Sequence, residues 1–197
     1  MRHRRLGRVL GRSPSHRKAL LRNLASALFL TELDKDEFLD EKQAPKVKGR
    51  IVTTIQKAKE VRPLVERCIS IACRAQAALD EANKLGTSAD RNSDEWRKWR
   101  KSKQWQKWAA AMAPVVLTRR RLVRLLGRKQ AANVCFEVVA PRFIDRMGGY
   151  TRIMRLAKPR LGDAGTRAIL EFVGVRDRGA KAPQAPKFEG EPAAAKS

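Results

Sequence analysis

Hydrophobic positions recur every three to four residues after Ser13-Pro14, and this spacing predicts an amphipathic helix over about residues 14–31. Serine before proline is a favourable helix start, because the serine side chain caps free backbone N–H groups and proline fits the first helical position. The apolar side consists of Leu20, Leu21, Leu24, Ala25, Leu28 and Phe29. We therefore expect this helix to place one face on a core and a charged face in solvent.

A second strand-and-helix unit follows along the chain. Residues 50–55 are rich in β-branched side chains and predict a strand. From Ala58 to Ala72 the apolar positions again follow helical spacing. Pro63 lies inside this pattern, so we expect it either to kink the helix or to mark its effective first turn.

The C-terminal part of the pattern predicts one more helix and two more strands. The helix spans about residues 130–146, with its inward positions at helical spacing. Gly148-Gly149 then predicts a sharp turn. Strands are expected at residues 150–157 and 167–173, separated by a loop that contains proline and glycine.

The middle of the chain, residues 76–115, is more polar and predicts helical pieces broken near residues 86–88. Its four tryptophans are interleaved with six basic residues over residues 94–108. Helical spacing puts Trp96 and Trp99 on one side and Trp105 and Trp108 on roughly the opposite side. The indoles could stack on exposed bases. They could instead anchor a helical hairpin on a protein surface, which we favour.

Charge changes the picture more than any single element does. Lys and Arg number 44 against 20 acidic residues, a formal net charge of +24. The first 31 residues hold eight of these bases and no acid. Such a run repels itself and buries little, so residues 1–13 are expected to form an extended tail that orders only beside a polyanion. Residues 117–126 add a second basic, amphipathic segment.

Two segments depart from the basic, globular pattern. Six acids cluster within residues 32–48, which predicts a solvated loop or short helix turned away from phosphate, or a contact with a basic neighbouring protein. Residues 179–197 are rich in Pro, Ala and Gly and predict a disordered tail. We expect residues 14–178 to form one globular domain between the two tails.

Several functional classes find no support in the residues. Cys68, Cys73 and Cys135 lack a Cys-x-x-Cys spacing, and we expect small buried hydrophobic residues in a reducing compartment. We find no phosphate loop, metal cluster or nucleophile–base pair, so no cofactor, metal, small-molecule substrate or catalytic residue is predicted. No apolar run is long enough for a membrane span, and we expect a cytosolic protein.

Two motifs at opposite ends of the chain resemble a known family. MRHRRLGRVLGRSPSHRKALLRNLA is similar to the opening of the seventeenth protein of the bacterial large ribosomal subunit. APRFIDRMGGYTRIMRL, followed by AILEF, resembles the C-terminal half of that family, and KAKEVRPLVE resembles it more weakly. The acidic stretch 32–48, the tryptophan-rich stretch 76–115 and the C-terminal tail lie outside the resemblance, and we interpret them as additions.

The resemblance implies a fold and a function. The fold is a two-layer α/β domain of the α+β type, with helices on one face of a small three-stranded sheet in the order α-β-α-α-α-β-β. The independent prediction of elements gives a compatible order. The function is that of a structural protein bound to large-subunit ribosomal RNA near the outer mouth of the peptide exit tunnel, beside neighbouring ribosomal proteins.

Candidate RNA-binding residues come from the resemblance and from the basic segments. The resemblance implies contacts by Arg2, His3, Arg4, Arg8, Arg12, His16, Arg17, Arg22, Tyr150 and Arg152. The basic segments and the glycine pair add Arg5, Lys18, Arg119, Arg120, Arg121, Arg142, Gly148, Gly149 and Arg155. Two adjacent glycines let the backbone approach a phosphate closely.

Two other classes compete with this prediction. A DNA-compacting or architectural protein outside the ribosome would also be basic, but it usually shows a dimerisation surface or a groove-reading helix. An enzyme acting on RNA would need a metal or cofactor constellation. The spread of basic residues over a tail, helices and loops favours irregularly folded RNA as the partner.

Overall fold

A computed structural model describes residues 7–34 and 44–174 of the chain. Within these ranges, helices and a small antiparallel sheet form an α+β fold, which confirms the predicted class. The elements are α1 Pro14–Leu30, β1 Arg50–Thr54, α2 Ile55–Arg74, α3 Gln76–Leu85, α4 Asp94–Arg100, α5 Lys103–Leu126, α6 Lys129–Val134, β2 Thr151–Arg155 and β3 Arg167–Phe172.

The three strands form one antiparallel sheet in the order β1-β3-β2. Leu170 of β3 is paired with Ile51 on one side and Ile153 on the other, so this row points into the core. The neighbouring row contains Val52, which is 52% exposed. Alternation of side chains therefore gives the sheet one covered and one open face.

Helices α1 and α2 cover the inner face of the sheet. The buried side of α2 carries Ala58, Val61, Val65, Cys68, Ile69 and Ala72, the positions that the sequence predicts. Pro63 lies inside this helix, which continues past it to Arg74. Phe29 of α1 is fully buried and stacks obliquely on Phe172 of β3, with ring centroids 5.6 Å apart. The core therefore joins the first helix to the last strand.

The region between β1 and β2 contains five α-helices, where the resemblance implies three. Helix α5 joins the end of segment 76–115 to the basic segment 117–126 and contains Pro114. Its buried side chains are Val115, Leu122 and Leu126, all in the second half of the helix. The first half of α5 packs instead with α3 and α4, as an arm appended to the domain.

The helix predicted over residues 130–146 changes geometry along its length. After α6, residues Cys135–Val139 form a π-helical segment and Ala140–Phe143 a 3-10 turn. Pro141 lies at the start of that turn, where it has no N–H to donate. The segment still buries Cys135, Phe136, Val139 and Phe143, so the predicted inward side is retained while the α-helical hydrogen bonding is not.

Parts of three predicted segments lie outside the described residues: positions 1–6 of the tail, positions 35–43 of the acidic loop, and the C-terminal tail from 175 onward. The described part of the N-terminal tail contains a turn, in which the Arg12 N–H donates to the Val9 carbonyl at 3.2 Å. None of the described helices is long and apolar enough to cross a membrane.

Candidate nucleic-acid interface

The charged side of α1 begins at a capped helix start. The Ser13 hydroxyl accepts a hydrogen bond from the His16 backbone N–H at 3.4 Å, and Pro14 occupies the first helical position, as predicted. His16 and Lys18 are exposed, and Arg17 is half-buried. Because the opposite side of the helix is anchored by buried Leu28 and Phe29, these polar side chains are held at the surface.

A basic groove runs between α1 and the turn that joins α5 to α6. We call it the α1 groove; it has a volume of about 430 Å³. Lys18 and Arg22 line it from α1, and Gly127 and Arg128 line it from the turn. Among the residues that the structure describes, no acidic side chain lines this groove. Three cations around one concave surface favour an anion such as a phosphate group.

Side chains of α1 fix the geometry of the α1 groove. The Arg22 Nη2 donates to the Arg124 carbonyl at 2.9 Å, and the Ser26 hydroxyl donates to the Leu126 carbonyl at 2.9 Å. These carbonyls belong to the last turn of α5, where a helix has no further N–H partners of its own. Gly127, with a φ of 78°, then ends the helix in the left-handed conformation. The two walls of the groove are therefore bonded to each other.

A second basic groove, the α2 groove, lies at the N-terminus of α2. Arg8, Lys59 and Arg155 line it together with the first residues of the helix, and its volume is about 240 Å³. The first turn of α2 contains no acidic residue, so its partial positive charge adds to the three cations. Arg8 also lies near Glu60, with 3.4 Å between Nε and Oε1, while half of its side chain remains exposed.

Besides Arg8, three further predicted RNA-binding arginines make ion pairs within the domain. Arg119 Nη2 lies 2.9 Å from Glu137 Oε1, with its guanidinium 4.7 Å from the Phe136 ring centroid. The Glu137 side chain is half-exposed, whereas the carboxylates of the other two pairs are largely buried. These two pairs are Arg142 with Glu32, at 2.7 Å, and Arg152 with Glu171, at 2.5 Å. Arg120 and Arg121, beside Arg119 on α5, are exposed.

The segment Gly148-Gly149-Tyr150 divides into an exposed and a buried part. Gly149 is exposed with a φ of 63°, and a Cβ at Gly148 would meet nothing within 4 Å, so the backbone is accessible there. Tyr150 is only 4% exposed, and its ring packs against Phe143 with centroids 5.2 Å apart. The expected contact of Tyr150 with RNA therefore needs correction, because its ring belongs to the core.

Arg2, His3, Arg4 and Arg5 lie outside the described residues. The structure brings Lys18 and Arg22 together at one groove and Arg8 and Arg155 at the other, while Arg12 turns back to donate to the Leu10 carbonyl at 2.8 Å. Sequence reasoning missed Arg128 and Lys59. Arg128 follows a glycine at the end of a basic helix, which was an available signal; the position of Lys59 depends on tertiary structure.

The tryptophans do not lie on opposing surfaces as predicted. Trp96, Trp99, Trp105 and Trp108 all line one groove of about 840 Å³, which we call the tryptophan groove. Helical spacing failed because the chain breaks between α4 and α5, where Ser102 caps the second helix. Trp99 packs edge-on against Trp108, with ring centroids 5.5 Å apart. This contact joins α4 to α5, and the anchoring of the hairpin on another protein surface stays a prediction.

The three cysteines are free thiols, and Cys68 and Cys135 are buried as expected. Burial raises the pKa of Cys68 to about 12 and also raises those of Cys73 and Cys135. A protonated, enclosed thiol is a poor nucleophile. Among the described residues, no group of three or more His, Cys, Asp or Glu side chains is placed to hold a metal ion.

Comparison with known proteins gives a consistent result. A family model described as Ribosomal protein L17 matches residues 20–173. The large ribosomal subunit protein bL17 of Rhodopirellula baltica is 64% identical over 189 residues, covering 96% of this chain and 89% of that protein. The bL17 proteins of Nitratidesulfovibrio vulgaris and Thermomicrobium roseum are 35% and 32% identical, covering 87% and 88% of this chain and 87% and 99% of theirs.

The comparison also changes the interpretation of the arm. The match to the Rhodopirellula baltica protein covers 96% of the chain, so it includes most of residues 76–115. The family model likewise spans this region. The tryptophan-rich stretch is therefore shared, at least in part, with that relative rather than being particular to this chain.

Proposed function

The chain belongs to the ribosomal protein L17 family, and from this premise we propose that it is a structural protein of the bacterial large ribosomal subunit in the cytoplasm. Its proposed partners are large-subunit ribosomal RNA and neighbouring ribosomal proteins. Its proposed position, near the outer mouth of the peptide exit tunnel, rests on the family resemblance alone. The family is one of structural proteins, and we propose no catalytic activity.

The observation that best supports RNA binding is the α1 groove. Its two walls are bonded to each other, and Lys18, Arg22 and Arg128 converge on it with no acidic side chain in its lining. A preformed cationic groove of this kind releases condensed counterions when it meets phosphates, and it pays little ordering entropy. The chain has 44 basic and 20 acidic residues, and this excess of positive charge also supports RNA as the partner.

We propose that the basic residues divide into two groups. Lys18, Arg128 and two cations of the α2 groove, Lys59 and Arg155, contact phosphates directly. Arg119, Arg142 and Arg152 already have carboxylate partners in the domain, so they contribute to the local potential more than to direct contacts. Three further candidates, Arg17, Arg120 and Arg121, are exposed or half-exposed and extend the charged surface.

A matched pair of double variants tests this division. Lys18→Ala/Arg128→Ala removes two cations from the α1 groove, and Arg74→Ala/Lys84→Ala removes two exposed cations at the ends of α2 and α3. Affinity for protein-free large-subunit RNA would be measured across salt concentrations. We expect the salt slope to fall by about two in the groove variant, because two phosphate contacts are lost, and to change little in the control. Equal changes in both variants would overturn the proposal.

Truncations test the tail in the same assay. Deleting residues 2–12 removes five arginines, and deleting 180–197 removes three lysines and two acids. We expect the first deletion to lower the salt slope by roughly four to five and the second to have little effect. Co-sedimentation of the intact protein with large subunits, and its release only at high salt, tests the assembly itself. A protein that never sediments with the subunit would refute the ribosomal assignment.

A further inference from the structure

The tryptophan groove is a concave surface on the appended arm, separate from the α1 and α2 grooves. Its walls come from α4, from the first half of α5, and from the loop after α3. All four tryptophans are partly exposed, so each presents some ring surface to the groove. Its volume of about 840 Å³ lies within the range of sites that enclose small organic ligands.

Two of the four indoles hold the arm together and two are available to a ligand. Trp99 packs edge-on against Trp108, and the buried Trp99 Nε1 has no hydrogen-bond partner within the described residues. This pair therefore closes α4 onto α5. Trp96 and Trp105 form further parts of the wall, and the Arg100 guanidinium lies 5.1 Å from the Trp96 ring centroid. An aromatic wall beside a cation is suited to a ligand with a flat aromatic part, which stacks on the indoles, and an anionic part, which meets the guanidinium.

The charged residues around the tryptophan groove indicate which kind of partner it binds. Residues 91–107 contain seven basic and two acidic side chains. Within the described part of the chain, only Arg97 of these bases has a carboxylate partner, Asp94 at 3.4 Å. Arg91 and Arg100 line the groove itself. Protein–protein interface cores are depleted in lysine, and a surface with so many unpaired cations favours a polyanion instead.

From this geometry we propose that the tryptophan groove binds unpaired nucleotides of RNA. Trp96 and Trp105 stack on the bases, and Arg91 and Arg100 meet the adjoining phosphates. Indole stacking tolerates any base, because every base has a π-face, and the charged rim keeps the strand in place. The inference rests on the proposed function in one respect, namely that ribosomal RNA supplies the unpaired nucleotides.

The test compares two oligomers of equal length and charge on the full-length protein. One is a single-stranded hexaadenylate RNA, and the other is an abasic hexamer with the same backbone. The bound fraction would be followed by tryptophan fluorescence and by anisotropy of a labelled strand. Stacking makes each base worth roughly 5- to 150-fold in affinity, so we expect the wild type to prefer the base-bearing strand by at least fivefold. Equal affinities would overturn the proposal.

Variants test whether Trp96 and Trp105 cause the preference for the base-bearing strand. In Trp96→Ala/Trp105→Ala we expect the ratio between the two strands to fall to about one, with affinity for the abasic strand unchanged. Leu117→Ala is the matched control, because this side chain is 68% exposed on the same helix outside the groove. Trp96→Phe/Trp105→Phe keeps two rings and should retain part of the preference, which guards against a folding defect in the alanine variant. A ratio that persists in both tryptophan variants would overturn the proposal.

A final experiment distinguishes failure of this inference from failure of the proposed function. Ultraviolet cross-linking of assembled large subunits, followed by digestion, identifies what lies against residues 94–108. A cross-link to RNA supports the inference, and a cross-link to a neighbouring protein alone overturns it. The oligomer assay does not depend on assembly, so failure to sediment with the subunit would refute only the ribosomal assignment.

Discussion

Arg142 Nη2 lies 2.7 Å from Oε2 of Glu32, whose side chain is only 5% exposed. The pair joins the 3-10 turn after α6 to the chain that leaves α1. A carboxylate in this position needs a partner, because taking its charge out of water without one costs several kcal/mol. Arg142 thus has an internal structural role, although the sequence motif around it predicts a residue that binds RNA.

Replacing Arg142 by alanine is expected to destabilise the domain. The change leaves Glu32 enclosed without its partner, and we expect a loss of about 1–3 kcal/mol in the free energy of unfolding, less than for a fully buried pair because Arg142 is partly exposed. Arg155→Ala is the matched control: it removes one exposed arginine from β2 and should change stability by less than about 0.5 kcal/mol. Urea denaturation measures both. Equal losses in the two variants would contradict the structural role.

Gly49→Ala should be costly for two separable reasons. Gly49 has a φ of +73°, and a Cβ built there would lie 2.7 Å from Glu32 Oε1. The Arg142 ion pair prevents that carboxylate from moving away freely. We expect a loss of about 2–4 kcal/mol, against about 1 kcal/mol for Gly162→Ala, which has a φ of +96° but no atom within 4 Å of its Cβ.

A double-variant cycle identifies the contact responsible. In an Arg142→Ala background Glu32 is released, so Gly49→Ala should cost less than it does in the wild type. Thermal or urea unfolding of the four proteins measures the difference. If Gly49→Ala and Gly162→Ala destabilise the domain equally, the backbone conformation alone accounts for the effect, and the contact with Glu32 contributes nothing.

The cysteines predict a selective and pH-dependent reactivity. Because burial raises the pKa of Cys68 to about 12 and also raises that of Cys135, both thiols stay protonated at pH 8. Iodoacetamide should label the partly exposed Cys73 first, and label the other two only when the domain unfolds. Peptide mass mapping with and without urea measures the three rates. Native-state labelling of Cys68 or Cys135 as fast as that of Cys73 would contradict this.

The same shifts set the sign of a pH effect. The unfolded chain ionises its thiols near the ordinary value of about 8.5, while the folded domain holds Cys68 protonated up to about 12. The contribution of the protonated Cys68 thiol to the free energy of unfolding is therefore fully present below about pH 8.5, and it is lost as the pH rises towards 12. The alkaline decline should be smaller in Cys68→Ala than in the wild type, after allowing for the cavity that the substitution leaves.

Local signals in the sequence were read correctly where local chemistry determines structure. The start of α1 was found because Ser13 and Pro14 act on the backbone next to them. The inward side of α2 was found because its spacing is that of an α-helix. The strand order β1-β3-β2 was not predicted, since pairing joins segments that are distant along the chain.

Roles that depend on a distant partner were beyond the sequence pattern. The sequence alone predicts that Arg142 is a surface cation, and only the structure places Glu32 beside it. Tyr150 follows two glycines and reads as exposed, yet its ring completes a cluster with Phe143. The prediction for the tryptophans is wrong for another reason. Helical periodicity assumes one continuous helix, but the chain breaks before Ser102, so Trp105 and Trp108 line the same groove as the first two tryptophans.

The uneven burial along α5 has a consequence for how this protein changes over evolutionary time. Its buried side chains, Val115, Leu122 and Leu126, lie beyond the arm, and the indole pair secures the arm within itself. Helix α4 has no buried residue, whereas Met112 in the first half of α5 packs against the core. We therefore expect α4 to tolerate substitution more readily than α5, whose side chains support the core along more of its length.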